Sequence, residues 1–162
     1  MQKRLFPLLI VVLIALGSIY YYKHYVAAPS INFQSLTLKR TNGEAFDINS
    51  LKGKKTIVFM YASWCGNCLQ ELKAVNKIRS TELSDIEIIC ISDEEMEKVQ
   101  GFEENKKYPF TFLKMDQNFN SVGIYSIPVT YFLNSNLEVV EEKLGYTAWD
   151  DASTVAHLKT LF

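Results

Sequence analysis

The run Ile57-Val58-Phe59-Met60-Tyr61, followed two residues later by Trp64-Cys65-Gly66-Asn67-Cys68, decides how this chain is read. A short, uninterrupted apolar run reads as a buried strand. Beyond the cysteines, Leu69, Leu72, Val75 and Ile78 keep helical spacing, so the pair sits where a strand ends and a helix begins. Unpaired N–H groups and the macrodipole at a helix N-terminus favour negative charge, which stabilises a thiolate at Cys65. Cys68 lies one turn further on, and side chains at i and i+3 stand roughly 5–6 Å apart at Cβ. A disulfide can form and break there with small adjustments. The spacing points to thiol–disulfide exchange.

Of three cysteines, the third is Cys90, within Ile88-Ile89-Cys90-Ile91. An odd count argues for one working pair plus a spare rather than a stapled scaffold. Cys90 reads as a small apolar residue of a central strand. Zinc would need two ligands beyond Cys65 and Cys68; only His24, His157 and Cys90 offer themselves, at no suggestive spacing, so no metal is expected. The chain has 162 residues and a formal net charge of −1, which leaves no electrostatic footprint for nucleic acid. No repeat or low-complexity tract occurs, and Glu94-Glu95 and Glu141-Glu142 read as solvated faces.

Leu5 to Tyr22 is almost wholly apolar. As a helix it would extend roughly 27 Å, close to the thickness of a bilayer's hydrocarbon core. Lys3 and Arg4 precede it, and Tyr20, Tyr21, Tyr22 and Tyr25 with Lys23 follow as an interfacial belt. The charge order predicts a cytoplasmic N-terminus and a domain outside the cytoplasm. A cleaved signal ending near Val26-Ala27-Ala28 competes, but the apolar run exceeds a usual signal core. The expected organisation is an anchor and linker over 1–28 and one globular domain over 29–162, facing a space where disulfides persist.

Within the domain, Phe33 to Leu38 and Ala45-Phe46-Asp47 flank the turn Thr41-Asn42-Gly43-Glu44 and predict a hairpin. A strand is expected over 56–61, a helix from Cys65 to about Arg79 and a strand over 86–91. Met96, Val99 and Phe102 mark a second helix. A short strand over 110–113, a short helix over 118–123 and a hairpin of 129–133 with 137–144 follow. A last helix from Ala148 or Asp150 to Leu161 buries Ala152, Val155 and Leu158 by spacing. Helices alternating with strands predict a single α/β domain with a mixed sheet.

Trp64-Cys65-Gly66-Asn67-Cys68 combined with Ile127-Pro128-Val129-Thr130 resembles the thioredoxin superfamily, and most of all its TlpA-like, membrane-anchored, extracytoplasmic branch. The resemblance runs from about Ile31 to Phe162. It implies a thioredoxin-like fold with a mixed central sheet flanked by helices, and no cofactor beyond a redox-active Cys65–Cys68 disulfide. Cys65 would be the exposed nucleophile and Cys68 the shielded resolving thiol. Trp64 would cover the pair. Pro128 would be a cis-proline that exposes the backbone of Ile127 to an extended substrate. Glu71, three residues after Cys68, would lie beneath the pair and take up the Cys68 proton.

The chain departs from those relatives in places. Phe59 stands where thioredoxin has a buried aspartate, Lys73 replaces a proline of the helix, and Asn67 rather than proline precedes Cys68. The implied partners are protein disulfide or dithiol substrates, a membrane electron donor, and the bilayer. Oxidase or isomerase chemistry on the same dithiol and a non-catalytic adaptor are the alternatives. A peroxidase is disfavoured, because the proline and threonine of P-x-x-x-T-x-x-C correspond here to Val58 and Ala62.

Overall fold

A computed structural model describes residues 5–25 and 28–161. The apolar run from Ile57 to Met60 lies in β3 (Lys55–Met60), which is lined on both edges, and Tyr61 follows directly after it. On one side it pairs in parallel with β4 (Ile86–Ser92), Phe59 opposite Cys90; on the other it pairs antiparallel with β6 (Val129–Leu133), Met60 opposite Val129. Both faces of β3 are covered, which is why its residues 57–60 are continuously apolar instead of alternating. β5 (Thr111–Met115) runs parallel to β4, and β7 (Val139–Leu144) runs antiparallel to β6. β1 (Leu38–Arg40) pairs with β5, and β2 (Ala45–Phe46) with β1, giving one seven-stranded mixed sheet in the order β2-β1-β5-β4-β3-β6-β7.

Successive residues of β3 feed two cores. Ile57 and Phe59 pack with α2 (Gly66–Ile78) through Cys68, Leu72 and Val75, and with α3 (Met96–Lys106) through Val99 and Phe102. Trp149, just before α4 (Ala152–Leu161), and Leu158 within it close that side. Val58 and Met60 face the other way, onto Phe33, Phe46, Ile48, Phe119 and Ile124. Short 3-10 helices over Phe33–Ser35, Ile48–Leu51 and Phe119–Val122 cover this second face. Each fully buried side chain of this size contributes roughly 1.5–3 kcal/mol.

Several expected elements differ in extent. Residues 33–35 form a 3-10 turn rather than the start of a strand, because the Asn32 side chain accepts a hydrogen bond from Gln34 N; the hairpin survives as β1 and β2. β7 starts at Val139, two residues late, since Leu137 adopts a left-handed φ of 66° in the turn. In α4 only Leu158 is buried; Val155 is half-buried and Ala152 is exposed at the first position, so the helix presents a narrower apolar face than its spacing implies.

The N-terminal apolar segment is helical as α1 (Leu5–Tyr25), and its described side chains, 7–22, are exposed. Among the described residues, no helix is long and apolar enough to cross a membrane. Lys3, Arg4, Val26 and Ala27 lie outside the described residues, as do the side chains of Leu5, Phe6 and 23–25. The chain that follows is tied to the sheet: Tyr131 Oη donates to the Pro29 carbonyl at 2.7 Å, and Ala28 and Ile31 pack on the second core.

Candidate active site

Because Met60 faces Val129 across the ladder, the chain leaving β3 and the chain entering β6 meet at one end of the sheet. Tyr61 N donates to the Ile91 carbonyl at 3.0 Å, and Cys65 N closes a turn onto the Ala62 carbonyl at 3.1 Å. Cys65 is thus delivered to the cap position of α2, in extended backbone (φ −81°, ψ 103°). Its Sγ accepts from Cys68 N at 3.3 Å, satisfying one of the orphan donors of the helix start.

Cys65 and Cys68 are joined as a disulfide, with Cα atoms 5.3 Å apart, inside the usual range for a bridge. Both are more enclosed than an exposed nucleophile suggests, at 7% and 1%, yet the order holds: Cys65 is the sulfur nearer solvent. The Ile127–Pro128 peptide bond is cis. It brings the Ile127 carbonyl oxygen to 3.9 Å from Cys65 Sγ. A bonded sulfur has no proton to give, so this is a packing contact in the oxidised state; a free thiol could donate along the same line. The Pro128 carbonyl is held from behind by Gly145 N at 2.9 Å, and Gly145 takes a φ of 88° that a side chain would strain.

Trp64 stands 72% exposed, which sets it apart from an ordinary packing tryptophan. Its ring borders a groove of about 410 Å³, of the size that accepts ligands, whose walls include Asp93, Phe119, Tyr125 and Ile127. Sequence brought Trp64 and Ile127 to this place through the resemblance alone; Asp93, Phe119 and Tyr125 arrive by topology.

Glu71 is fully buried on α2, one turn beyond Cys68. One carboxylate oxygen accepts from Thr147 N, and the other has no partner. Burial pushes the carboxyl up from its ordinary 4.5 to about 7, against the Thr147 N–H, the Trp149 indole and, more weakly, Lys143, which favour the charged form. Neither Trp149 Nε1 nor Glu71 Oε2 makes a hydrogen bond of full geometry. The indole therefore acts as a nearby dipole, not a made bond. Cys90 is a free, fully buried thiol in β4, and burial pushes it well above its ordinary value.

One residue that the sequence placed elsewhere belongs here. Glu94, expected on a solvated face, accepts from Ser63 N at 2.6 Å and Ser63 Oγ at 2.8 Å, whereas Glu95 is exposed. The available signal was its position just past the C-terminal end of β4, where open α/β sheets gather their functional groups. Among the described residues, no group of three or more His, Cys, Asp or Glu is arranged to hold a metal ion.

Residues 28–142 match the AhpC/TSA family. The chain is 27% identical over 114 residues to thioredoxin-like protein YneN of Bacillus subtilis, covering 67% of each chain. It is 26% identical over 156 residues to thiol-disulfide oxidoreductase ResA of the same organism, covering 89% of this chain and 87% of ResA. Its structure superposes on dsbF of MTB with a TM-score of 0.64 at 21% identity, over 83% of this chain and all of that one. That likeness shows a thioredoxin-like fold. With its two cysteines bonded at a helix start beneath that fold, the chain belongs to the AhpC/TSA family and is a thiol–disulfide oxidoreductase.

Proposed function

We propose that the chain is a membrane-anchored, extracytoplasmic reductase of protein disulfides, of the kind that prepares cysteines for haem attachment to cytochrome c. The observation that carries this reading is the capping of α2 by Cys65, with the Ile127 carbonyl beside its sulfur. In the reduced protein, the Cys65 thiolate attacks one sulfur of a substrate disulfide. A mixed disulfide forms and the other substrate sulfur leaves as a thiolate. Cys68, having given its proton to Glu71, attacks Cys65 Sγ; the Cys65–Cys68 bond forms and the second substrate sulfur leaves. Two electrons pass from the dithiol to the substrate, and a dithiol of a membrane partner returns them.

Several observations support the individual roles. Cys65 is the more accessible sulfur, and Glu71 titrates at about 7, where it can both accept and release a proton near neutral pH. An extended substrate segment would pair with the backbone at Ile127 and lie along the groove beside Trp64. The anchor over residues 1–28, with the catalytic domain over 29–162, is read from the apolar sequence of Leu5 to Tyr22 alone. The functional site of this reading needs no cofactor beyond the disulfide itself.

Cys68→Ser stalls the exchange at the mixed disulfide, so trapped partners identify the clients. Apocytochromes among them agree with the reductase reading, and an empty trap removes it. A reduction potential as high as about −120 mV, that of a strong oxidant, would reverse the proposed direction of flow.

A further inference from the structure

The turn that follows β4 reaches across to the residue that precedes Trp64. Glu94 receives both the N–H and the hydroxyl of Ser63, at 2.6 and 2.8 Å, with its two carboxylate oxygens. Its own N–H donates to Ser92 Oγ at 3.2 Å, which fixes the turn from which it reaches. Ser63 lies inside the turn that Cys65 N closes onto the Ala62 carbonyl. The cap of α2 therefore rests on a turn whose second residue is held by a carboxylate from the turn after β4. Next to it, Asp93 Oδ2 accepts from Phe119 N at 2.8 Å, tying the opposite wall of the groove to the same turn.

We infer that Glu94 is a positioning residue for thiol–disulfide exchange: through Ser63 it holds Trp64 at the groove and Cys65 at the helix cap. A thiolate gains from the helix start only while its sulfur stays over the free N–H groups, because the effect fades within the first turn. Releasing Ser63 lets the cap wander and weakens that gain. The inference rests on the proposed exchange chemistry, but alkylation of the reduced protein reads Cys65 without requiring any protein substrate.

Charge and position are separated by comparing two neutral variants. Glu94→Gln keeps an acceptor for Ser63 N and a group for its hydroxyl; Glu94→Ala keeps neither. Reduced proteins are alkylated with iodoacetamide at pH 7, and the label at residue 65 is followed by mass. We expect Glu94→Ala to react about fivefold more slowly than Glu94→Gln, the equivalent of one lost hydrogen bond. Trp64 supplies a second readout. It is exposed while Trp149 is fully buried, so iodide quenches Trp64 selectively. The anisotropy of the quenchable emission should fall in Glu94→Ala and be restored in Glu94→Gln. Ser63→Ala, which removes only the hydroxyl, should fall between them and serves if Glu94→Ala does not fold. Equal alkylation rates and equal anisotropy in the two Glu94 variants would overturn the inference. Should wild-type protein alkylate normally yet trap no clients, the reductase reading fails while this comparison still stands.

Discussion

Replacing Glu71 by glutamine should flatten the pH dependence of stability in the oxidised protein. Burial lifts this carboxyl from 4.5 to about 7. Between those values the folded protein keeps a proton that the unfolded chain has released. The associated stability is complete below pH 4.5 and is lost as pH rises through about 7. At about 1.4 kcal/mol per pH unit, the interval amounts to about 3 kcal/mol, a large part of the roughly 5–15 kcal/mol that holds a domain folded. Glutamine resembles the neutral acid and cannot ionise. Wild type and Glu71→Gln should therefore unfold at similar urea concentrations at pH 4.5, and the variant should be the more stable by about 3 kcal/mol at pH 8. Other titrating groups cancel in the difference between the two proteins. Parallel stability curves from pH 4.5 to 8 would mean that Glu71 titrates as a solvated carboxyl and that burial does not hold its proton.

The same substitution should alter the pH profile of disulfide exchange near neutrality, and an unchanged profile would remove Glu71 from proton transfer. Leu72→Ala, emptying a fully buried site between α2 and the sheet, should cost about 2–5 kcal/mol in urea denaturation with exchange chemistry retained. Cys90 should stay unlabelled by iodoacetamide in the folded protein at pH 8 and react on unfolding, since it is both enclosed and held protonated; rapid labelling in the native state would contradict its buried placement.

Residues whose role is set by their immediate neighbours in sequence were legible from the start. The apolar run at 57–61, the helix spacing after it and the cysteines between them reappear as β3, α2 and the capped disulfide. Ile127 and Pro128 are a different case. They lie more than sixty residues from Cys65, and nothing local in their sequence marks a cis bond; only the resemblance put them beside the sulfur. Glu94 was misread because a carboxylate next to a second one resembles a solvated pair, and its partner Ser63 becomes adjacent only when β3 and β4 align. The burial of Glu71 was predicted by its helical offset from Cys68, but not the Thr147 N–H that meets it or the Trp149 indole nearby. Those arrive with the chain entering α4. At the ends of elements, side-chain caps such as Asn32 decided what hydrophobic spacing could not.

On this reading the start of α2 makes one sulfur of the reduced couple selectively ionised and the other a sheltered partner. Timed iodoacetamide labelling of the reduced protein at pH 6, where an ordinary thiol is almost wholly protonated, tests it most directly. Residue 65 should label about tenfold faster than residue 68, and faster than either does in denaturant, in keeping with the energies that helix ends lend to charge. Equal labelling of the two residues, or no gain over the unfolded chain, would mean that the helix start does not ionise Cys65.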